Sequence, residues 1–225
     1  SRLTLDNYRF VFDHSATQRA VWNSLLLGAA AATATMALTA VIAWITTKTR
    51  LPGRGWLDVL AFIPIAVPGL VLGVSMILQY LSPAFRVLPI YGTLWILVLA
   101  YVTKYLPYGM RTNGAAMLQI HKELEEASAA SGASWWTTFR RVMLPLLRPG
   151  LVAGWLYIFI VSVRELSASV LLVSSQSTVL AVLIFDLFES GKSNAVAALS
   201  VMLIVALVVI VTIVQRVSSR FGVRE

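Results

Sequence analysis

The sequence has no cysteine, only two histidines and few charged residues, and each shortage excludes a class of site. Without cysteine there are no disulfide bonds, thiolate nucleophiles or cysteine-based metal sites. His14 and His121 lie far apart in the sequence, and neither an HExxH nor a GxSxG pattern occurs. The sequence therefore predicts neither catalytic residues nor a metal site, and it argues against an enzyme.

Apolar residues dominate the composition of the chain. They make up 58% of the 225 residues against 12% that are charged, and the mean hydropathy is +0.80, values outside the range of soluble globular domains. The sequence thus predicts a protein embedded in a lipid bilayer. A net charge of +8 would suggest a nucleic-acid partner in a soluble protein. Here eleven of the eighteen Lys and Arg residues lie in alternate loops or at the span ends next to them, as the positive-inside rule requires, so no nucleic-acid partner is predicted.

Five long apolar segments predict an all-α fold, a polytopic bundle of membrane helices. Each has at least the roughly 20 residues that a helix needs to cross the hydrocarbon. They cover about residues 21–47, 57–81, 91–119, 150–174 and 195–217, within a transmembrane domain of residues 20–218. The remaining parts are predicted to be an extracytoplasmic segment (1–19), a cytoplasmic loop (120–149) and a cytoplasmic tail (219–225). Neither a signal peptide nor a span precedes residue 20, so we expect the chain to be part of a longer one.

The second segment contains two prolines four residues apart, Pro64 and Pro68, followed by Gly69 and Gly73. Each proline removes a helical hydrogen bond and leaves a carbonyl one turn earlier without its partner. Such a break is tolerated in lipid where neighbouring helices or a water-filled cavity satisfy the freed groups. The segment therefore either lines a pathway or is a kinked packing helix.

Charged residues inside the third and fourth segments are costly in lipid unless they are paired or hydrated. Lys104 lies roughly 20 Å from the outer end of the third segment at helical rise, and Pro107 and Gly109 are expected to break the helix just beyond it. Arg164 and Glu165 lie inside the fourth segment. Adjacent helical residues point about 100° apart, so these two cannot face the same partner. They either form ion pairs with other helices, or Glu165 lines the route or its outer gate.

The loop from Lys122 to Pro149 is the longest polar stretch in the chain. Its first part, Glu123 to Ser131, is rich in strong helix formers, with acidic residues in the first turn and Gly132 placed to end the helix in a left-handed turn. Ser134 is placed to cap a second short helix, in which Trp135 offers apolar surface. Arg140 and Arg141 then suit the headgroup boundary, and Pro145 and Pro149 mark the return to the membrane.

The spacing within this loop resembles a family signature. Glu126-Ala127-Ser128 is followed by three residues, Gly132, nine residues, Val142, one residue, Leu144 and Pro145. This pattern resembles the EAA loop of type I ABC importer permeases, the MetI-like family, with Ser128 in place of the usual alanine. The resemblance implies that the helix docks on a cytoplasmic ATPase. The docking residues it implies are Glu125, Glu126, Ala127, Ser128, Gly132, Leu144 and Pro145.

The resemblance implies a transport subunit of the bacterial inner membrane. Its implied partners are a second permease half, an extracytoplasmic substrate-binding protein and a pair of ATPase subunits that bind ATP and Mg²⁺. This chain lacks the GxxxxGK[ST] phosphate loop, so it is expected to bind no cofactor itself. The stretches Ile63–Gly69 and Arg164–Ser169 are similar to the second half of fused iron(III)-type permeases, whose related branches carry thiamine, phosphonates, sulfate or polyamines. The predicted pathway residues are Pro64, Pro68, Lys104, Arg164, Glu165 and Ser167.

Two other classes of protein are weighed against this interpretation. An ion-coupled secondary transporter would use buried ionisable groups, for which Lys104, Arg164 and Glu165 are the candidates. That interpretation leaves the signature loop unexplained. An intramembrane enzyme would need a constellation of catalytic residues that the sequence does not contain.

Overall fold

The computed structural model of the protein describes residues 6–85 and 89–220, and within these ranges the chain is helical and has no strand. The predicted all-α fold is confirmed. The parts of the predicted terminal segments that fall in residues 1–5 and 221–225 lie outside the described residues. The helices are α1 (Asp6–Asp13), α2 (Ser15–Lys48), α3 (Arg54–Phe62), α4 (Gly69–Leu81), α5 (Leu94–Gln119), α6 (Lys122–Ala130), α7 (Trp135–Thr138), α8 (Leu144–Val163), α9 (Ser169–Leu172), α10 (Leu180–Glu189) and α11 (Ser193–Arg220).

The core of the fold is formed by α2, α5 and α8, which pack against each other. Leu27 and Ala31 of α2, Ile96 and Tyr101 of α5 and Ile158 of α8 are almost fully buried there. Because lipid tails are as apolar as these side chains, close packing has to hold such helices together. A Cβ atom on Gly109 of α5 would lie 2.6 Å from Thr39 Oγ1 of α2, so this glycine sets how closely the two helices approach.

In the described part of the chain, three stretches of helix are long and apolar enough to cross a membrane: α2, the continuous helix from Trp135 to Val163, and Ser193–Arg216 of α11. The pair α3 and α4 passes the same test as one bent unit. At 26 residues α5 is long enough, but charged and polar residues such as Lys104 and Arg111 make it less apolar. The fifth span is therefore still a prediction. Only 11% of the residues in the most apolar part of α11 are buried, far fewer than in α2.

The second segment, predicted as one span over residues 57–81, is broken. Its first half, α3, continues as a 3-10 turn over Ile63–Ala66, and α4 starts afresh at Gly69, bent by 109° from the first half. Pro68 stands at the N-cap of α4, where its missing N–H leaves no helical hydrogen bond unmade. The sequence predicted a break here. Because the angle is so sharp, the segment consists of two separate helices and is not a single kinked helix.

The third segment contradicts the break expected beyond Lys104. Helix α5 begins at Leu94 rather than near Tyr91 and continues through Pro107 and Gly109 to Gln119. Pro107 and Gly109 are both buried. The close contact of Gly109 with α2 supports the helix next to the proline. Membrane helices tolerate such a proline where neighbouring helices support it.

The fourth segment starts and ends earlier than predicted. The helix runs from α7 through a π-helical stretch, Phe139–Met143, into α8, so Pro145 and Pro149 lie inside helix rather than before it. It ends at Val163, not at Ser174, and residues 164–168 form a turn before the short helix α9. Arg164 and Glu165 are therefore not consecutive helical residues, and the argument from their angle of 100° was wrong.

Polar contacts fasten the segments at each of the two ends of the bundle. At one end Lys48, the last residue of α2, meets Ile120 after α5, and α6 and α7 follow directly. At the other end the Asn23 side chain of α2 donates a 2.9 Å hydrogen bond to the carbonyl of Gln176, in the segment between α9 and α10. The predicted cytoplasmic loop thus lies at the opposite end from the loop that precedes α10.

Candidate functional site

The helix of the signature loop, α6, ends as its sequence predicts. Gly132 has φ of +76°, a left-handed conformation that favours glycine. Its N–H donates to the carbonyl of Ala129 at 2.9 Å, and the N–H of Ala133 donates to that of Ser128 at 3.1 Å. These two bonds form a Schellman motif, which satisfies carbonyls that the helix end would leave open. The turn after α6 is therefore fixed by local backbone chemistry.

One face of α6 is fastened to the bundle and the other is exposed. Glu125 forms an ion pair with Lys48 at 2.7 Å, and the Ser128 hydroxyl hydrogen bonds to that of Thr138 at 2.9 Å. The outer face of α6, which we define as Glu126, Ala127 and Ala130, is exposed together with Gly132. Small side chains on this face leave the helix backbone open to close approach by another surface.

The second half of the loop returns to the bundle through aromatic and sulfur-containing side chains. The Ser134 hydroxyl caps α7 by accepting the N–H of Thr137, as predicted. The ring of Trp135 stacks on that of Phe139, and Met143 is almost fully buried. Of the two remaining residues with an implied docking role, Leu144 is half-buried and Pro145 is exposed.

A second polar site lies in the middle of the bundle. We call it the polar centre, and it consists of Tyr101, Lys104 and Tyr105 of α5 with Glu165 and Ser169. The Lys104 ammonium is 2.7 Å from Glu165 Oε1, and the Tyr105 hydroxyl donates to Glu165 Oε2 at 3.0 Å. The backbone carbonyl of Glu165 accepts from the hydroxyls of Tyr101, at 3.2 Å, and Ser169, at 3.0 Å. Both charges are therefore paired, as a site inside a membrane requires.

The break between α3 and α4 meets the polar centre. A Cβ atom on Gly69 would lie 2.7 Å from Ser167 Cβ and 2.8 Å from Lys104 Nζ, so only glycine fits here without movement of its neighbours. Pro68 directly precedes this contact, and Pro64 lies in the 3-10 turn before it. The structure thus brings Pro68, Lys104, Glu165 and Ser167 together. Arg164 is exposed and takes no part in the Lys104–Glu165 pair.

A groove of about 390 Å³ lies between α4 and α5. Its polar lining comes from Ser75, Gln79 and Thr103, and Thr103 is the neighbour of Lys104 in sequence. A glutamine amide facing lipid tails would lose its hydrogen bonds at a cost of several kcal/mol, so an exposed Gln79 favours water or protein next to this groove.

Several residues of these sites were not singled out in the sequence. Tyr101 and Tyr105 lack a motif, although their spacing of four residues around Lys104 places all three near one face of α5. Lys48 is one of three basic residues, with Arg50 and Arg54, in the loop after the first predicted span, and the sequence does not set it apart. Its burial, with 6% of its side chain exposed, could not be predicted because Glu125 lies far away in sequence.

Most of the chain resembles known transport proteins. It matches the family described as "Binding-protein-dependent transport system inner membrane component" over residues 36–223. It is 35% identical over 183 residues to the putative ferric transport system permease protein FbpB 1 of Haemophilus influenzae, which covers 79% of this chain and 28% of that protein. It is 33% identical over 202 residues to the ferric transport system permease protein FbpB of Actinobacillus pleuropneumoniae, with 87% and 28% covered. This chain thus spans under a third of the length of these two relatives.

Another relative and two solved structures extend the comparison. The sulfate transport system permease protein CysT of Escherichia coli is 29% identical over 199 residues, covering 82% of this chain and 70% of that protein. The fold is shared with the MetNI methionine ABC transporter, with a TM-score of 0.72, 21% identity and coverage of 90% and 94%. It is also shared with a bacterial alginate ABC transporter, with a TM-score of 0.82, 17% identity and coverage of 97% and 83%. The chain belongs to the family of binding-protein-dependent transport system inner membrane components, as the resemblance of its signature loop predicted.

Proposed function

We propose that this chain forms half of the transmembrane pathway of an ATP-driven importer and is moved by a separate ATPase dimer that docks on α6. The observation that carries the proposal is the division of α6 into a fastened face and an exposed face. Glu125 and Ser128 hold the helix to the bundle, while Glu126 and Ala127 are left open to a partner. ATP and Mg²⁺ would be bound by the ATPase, since this chain has no GxxxxGK[ST] loop.

The proposed orientation follows from charge. The end of the bundle that carries α6 also carries Lys48, Arg54 and the basic residues of the signature loop, Lys122, Arg140, Arg141 and Arg148. Basic loops face the cytoplasm, so α6 would face the ATPase compartment of a bacterial inner membrane. The five crossings would be α2, the bent pair α3–α4, α5, the continuous helix Trp135–Val163, and α11.

The pathway would run along the groove between α4 and α5. This surface combines exposed polar groups, Ser75 and Gln79, with a broken helix, and its lining residue Thr103 is the sequence neighbour of Lys104 in the polar centre. Irregular backbone at membrane depth is tolerated where it lines a cavity or is buried in protein. A second permease half would complete the wall, and an extracytoplasmic binding protein would deliver the cargo to its outer end.

Ferric iron is the cargo that the relatives at 33% and 35% identity support. Sulfate and 2-aminoethylphosphonate are the alternatives, because relatives named for these cargoes match at 29% and 26% identity. Uptake of labelled ferric iron, sulfate and 2-aminoethylphosphonate into cells that express the complete transporter would decide between them. Persistence of uptake without ATP, driven by an ion gradient, would instead support a secondary transporter.

The docking proposal is tested by copurification of the ATPase with the complete permease. Glu126→Lys reverses a charge on the outer face of α6, and Gly132→Asp strains the turn that positions it, so both are expected to lose the ATPase. The matched control is Gly191→Asp, because Gly191 also ends a helix with positive φ, at +72°, and open space around it. Equal retention of the ATPase by the wild type and the α6 variants would contradict docking on α6.

A further inference from the structure

We propose that Lys48 is the positioning residue that makes α6 and the adjoining end of α2 a single mechanical unit, through which a docked ATPase moves the bundle. This inference rests on the proposed function and concerns how movement passes from α6 to the pathway. In the sequence, Lys48 is one of several basic residues of a loop. In the structure its side chain is buried and contacts two other elements, whereas a lysine that only anchors a helix end at the headgroups would be exposed.

The Lys48 ammonium joins three elements at one point. Its Nζ atom lies 2.7 Å from Glu125 Oε1 in the first turn of α6 and donates at 2.6 Å to the carbonyl of Ile120, the C-cap of α5. Lys48 is itself the last residue of α2, and its side chain is only 6% exposed. A lysine buried to this degree holds its position because the Ile120 carbonyl accepts one of its protons and the Glu125 carboxylate balances its charge.

The surrounding helix dipoles favour a cation at this position. The carboxyl ends of α2 and α5 both carry partial negative charge, and each ends next to Lys48. Glu125 complements the positive amino end of α6. Methionine has a similar length and apolar stem but would leave the Glu125 carboxylate without its counter-charge and the Ile120 carbonyl without its donor. The attachment of α6 to the bundle therefore depends on the charge of Lys48 and not on its packing alone.

Two further contacts close a ring around this point, which we call the α2–α6–α7 ring. It comprises the Lys48–Glu125 ion pair, the Ser128–Thr138 hydrogen bond and the contact of Trp135 with Trp44, whose ring centroids lie 5.5 Å apart. Helix α6 is thus held to α2 directly by the ion pair and indirectly through α7. Because it is held at two points, a force on its outer face would move the end of α2 rather than rotate α6 alone.

The ring is connected to the polar centre through the packing of α2 on α5. Asn113 of α5 is 1% exposed and donates to the carbonyl of Met36 at 3.1 Å and to the Thr39 hydroxyl at 2.8 Å, both on α2. Helix α5 carries Lys104 and Tyr105 of the polar centre. Movement of the end of α2 would therefore reach the centre through α5, by way of buried hydrogen bonds.

The test measures cargo uptake and ATP hydrolysis together, using the complete transporter with its ATPase in proteoliposomes and ferric iron as the cargo. Lys48→Met and Lys48→Gln each remove the cation of the ion pair. We expect both variants to retain the ATPase and hydrolyse ATP, while uptake per ATP falls about fivefold or more, the lower range of coupling between two sites. A merely structural role would lower hydrolysis and uptake together. Glu123→Gln is the matched control, because Glu123 is an exposed acidic residue in the same turn as Glu125.

A distance measurement tests the same inference without relying on uptake. Because the chain has no cysteine, Arg50→Cys and Ser131→Cys introduce two unique sites for spin labels. Both residues are exposed, beyond the ends of α2 and α6. In the wild type we expect the distance between labels to stay constant when a non-hydrolysable ATP analogue is added. In Lys48→Met we expect a broad distribution that changes with nucleotide.

An unchanged ratio of uptake to hydrolysis in Lys48→Met, or a narrow and constant label distance in that variant, would overturn the role of Lys48. Failure of the wild type to retain an ATPase would instead overturn the proposed function. If Lys48→Met does not accumulate, Lys48→Gln decides the question, since its amide keeps a hydrogen-bond donor at this position and only the charge is removed.

Discussion

The Lys104–Glu165 pair provides the most direct test of the polar centre. The two side chains are 21% and 11% exposed and 2.7 Å apart. With an effective dielectric constant near 20, their attraction amounts to about 6 kcal/mol before the cost of desolvation is subtracted. Removing one partner of a buried pair costs about 3–5 kcal/mol, because the other charge is left without compensation. Since Lys104 keeps some contact with solvent, we expect about 3 kcal/mol for Lys104→Met.

This loss corresponds to a fall in the midpoint of thermal unfolding of roughly 6–12 °C for a chain of this size. It is measured by circular dichroism of the purified permease in a mild detergent. The double variant Lys104→Met/Glu165→Gln is expected to recover most of the loss, because removing both charges leaves no unpaired ion while the introduced amide oxygen still accepts a hydrogen bond. Arg164→Met serves as the control, since Arg164 is exposed and should shift stability by no more than about 0.5 kcal/mol. Equal effects of Lys104→Met and Arg164→Met would refute the reasoning.

Three further predictions concern the loop and the core. A cysteine introduced at Ser131, next to α6, should react with a membrane-impermeant maleimide only after cells are opened, and labelling of intact cells would reverse the proposed orientation. Gly109→Ala should destabilise the protein by about 1–3 kcal/mol in thermal unfolding, because its Cβ would overlap Thr39 Oγ1. Gly114→Ala, on the same helix with open space around it, should instead stabilise it by about 0.5–1 kcal/mol, and a loss at both glycines would contradict the packing argument. Ser134→Ala should cost about 1 kcal/mol through loss of the α7 cap, whereas an unchanged unfolding midpoint would show that the cap is dispensable.

The local features of the signature loop could be predicted from the sequence. The acidic first turn of α6, the left-handed turn at Gly132 and the cap at Ser134 depend on residues within a few positions of each other. The break at Pro68 was predicted for the same reason, because proline restricts its own backbone and that of its neighbour. The angle of 109° between α3 and α4 could not be predicted, because α4 begins in contact with Ser167, which lies far along the chain.

The features that the sequence did not predict depend on contacts between distant segments. Apolar residues continue to Val173, so the fourth segment was expected to be one helix, yet it ends at Val163 and Glu165 turns towards Lys104 on α5. Pro107 was expected to break the third segment, yet the helix is continuous where α5 packs against α2. The burial of Lys48 likewise depends on Ile120 and Glu125. Periodicity and composition carry no information about which distant segments meet.

The low burial of α11 affects how this protein must be handled. Its inner contacts are few, and side chains such as Ile204, Val208 and Ile213 stay more than half exposed along its length. Elements with few buried contacts open at a small free-energy cost. Amide hydrogens of α11 should therefore exchange with solvent long before those of α2 or α5 once the protein leaves its bilayer. The surroundings chosen during extraction will decide whether this helix stays in place.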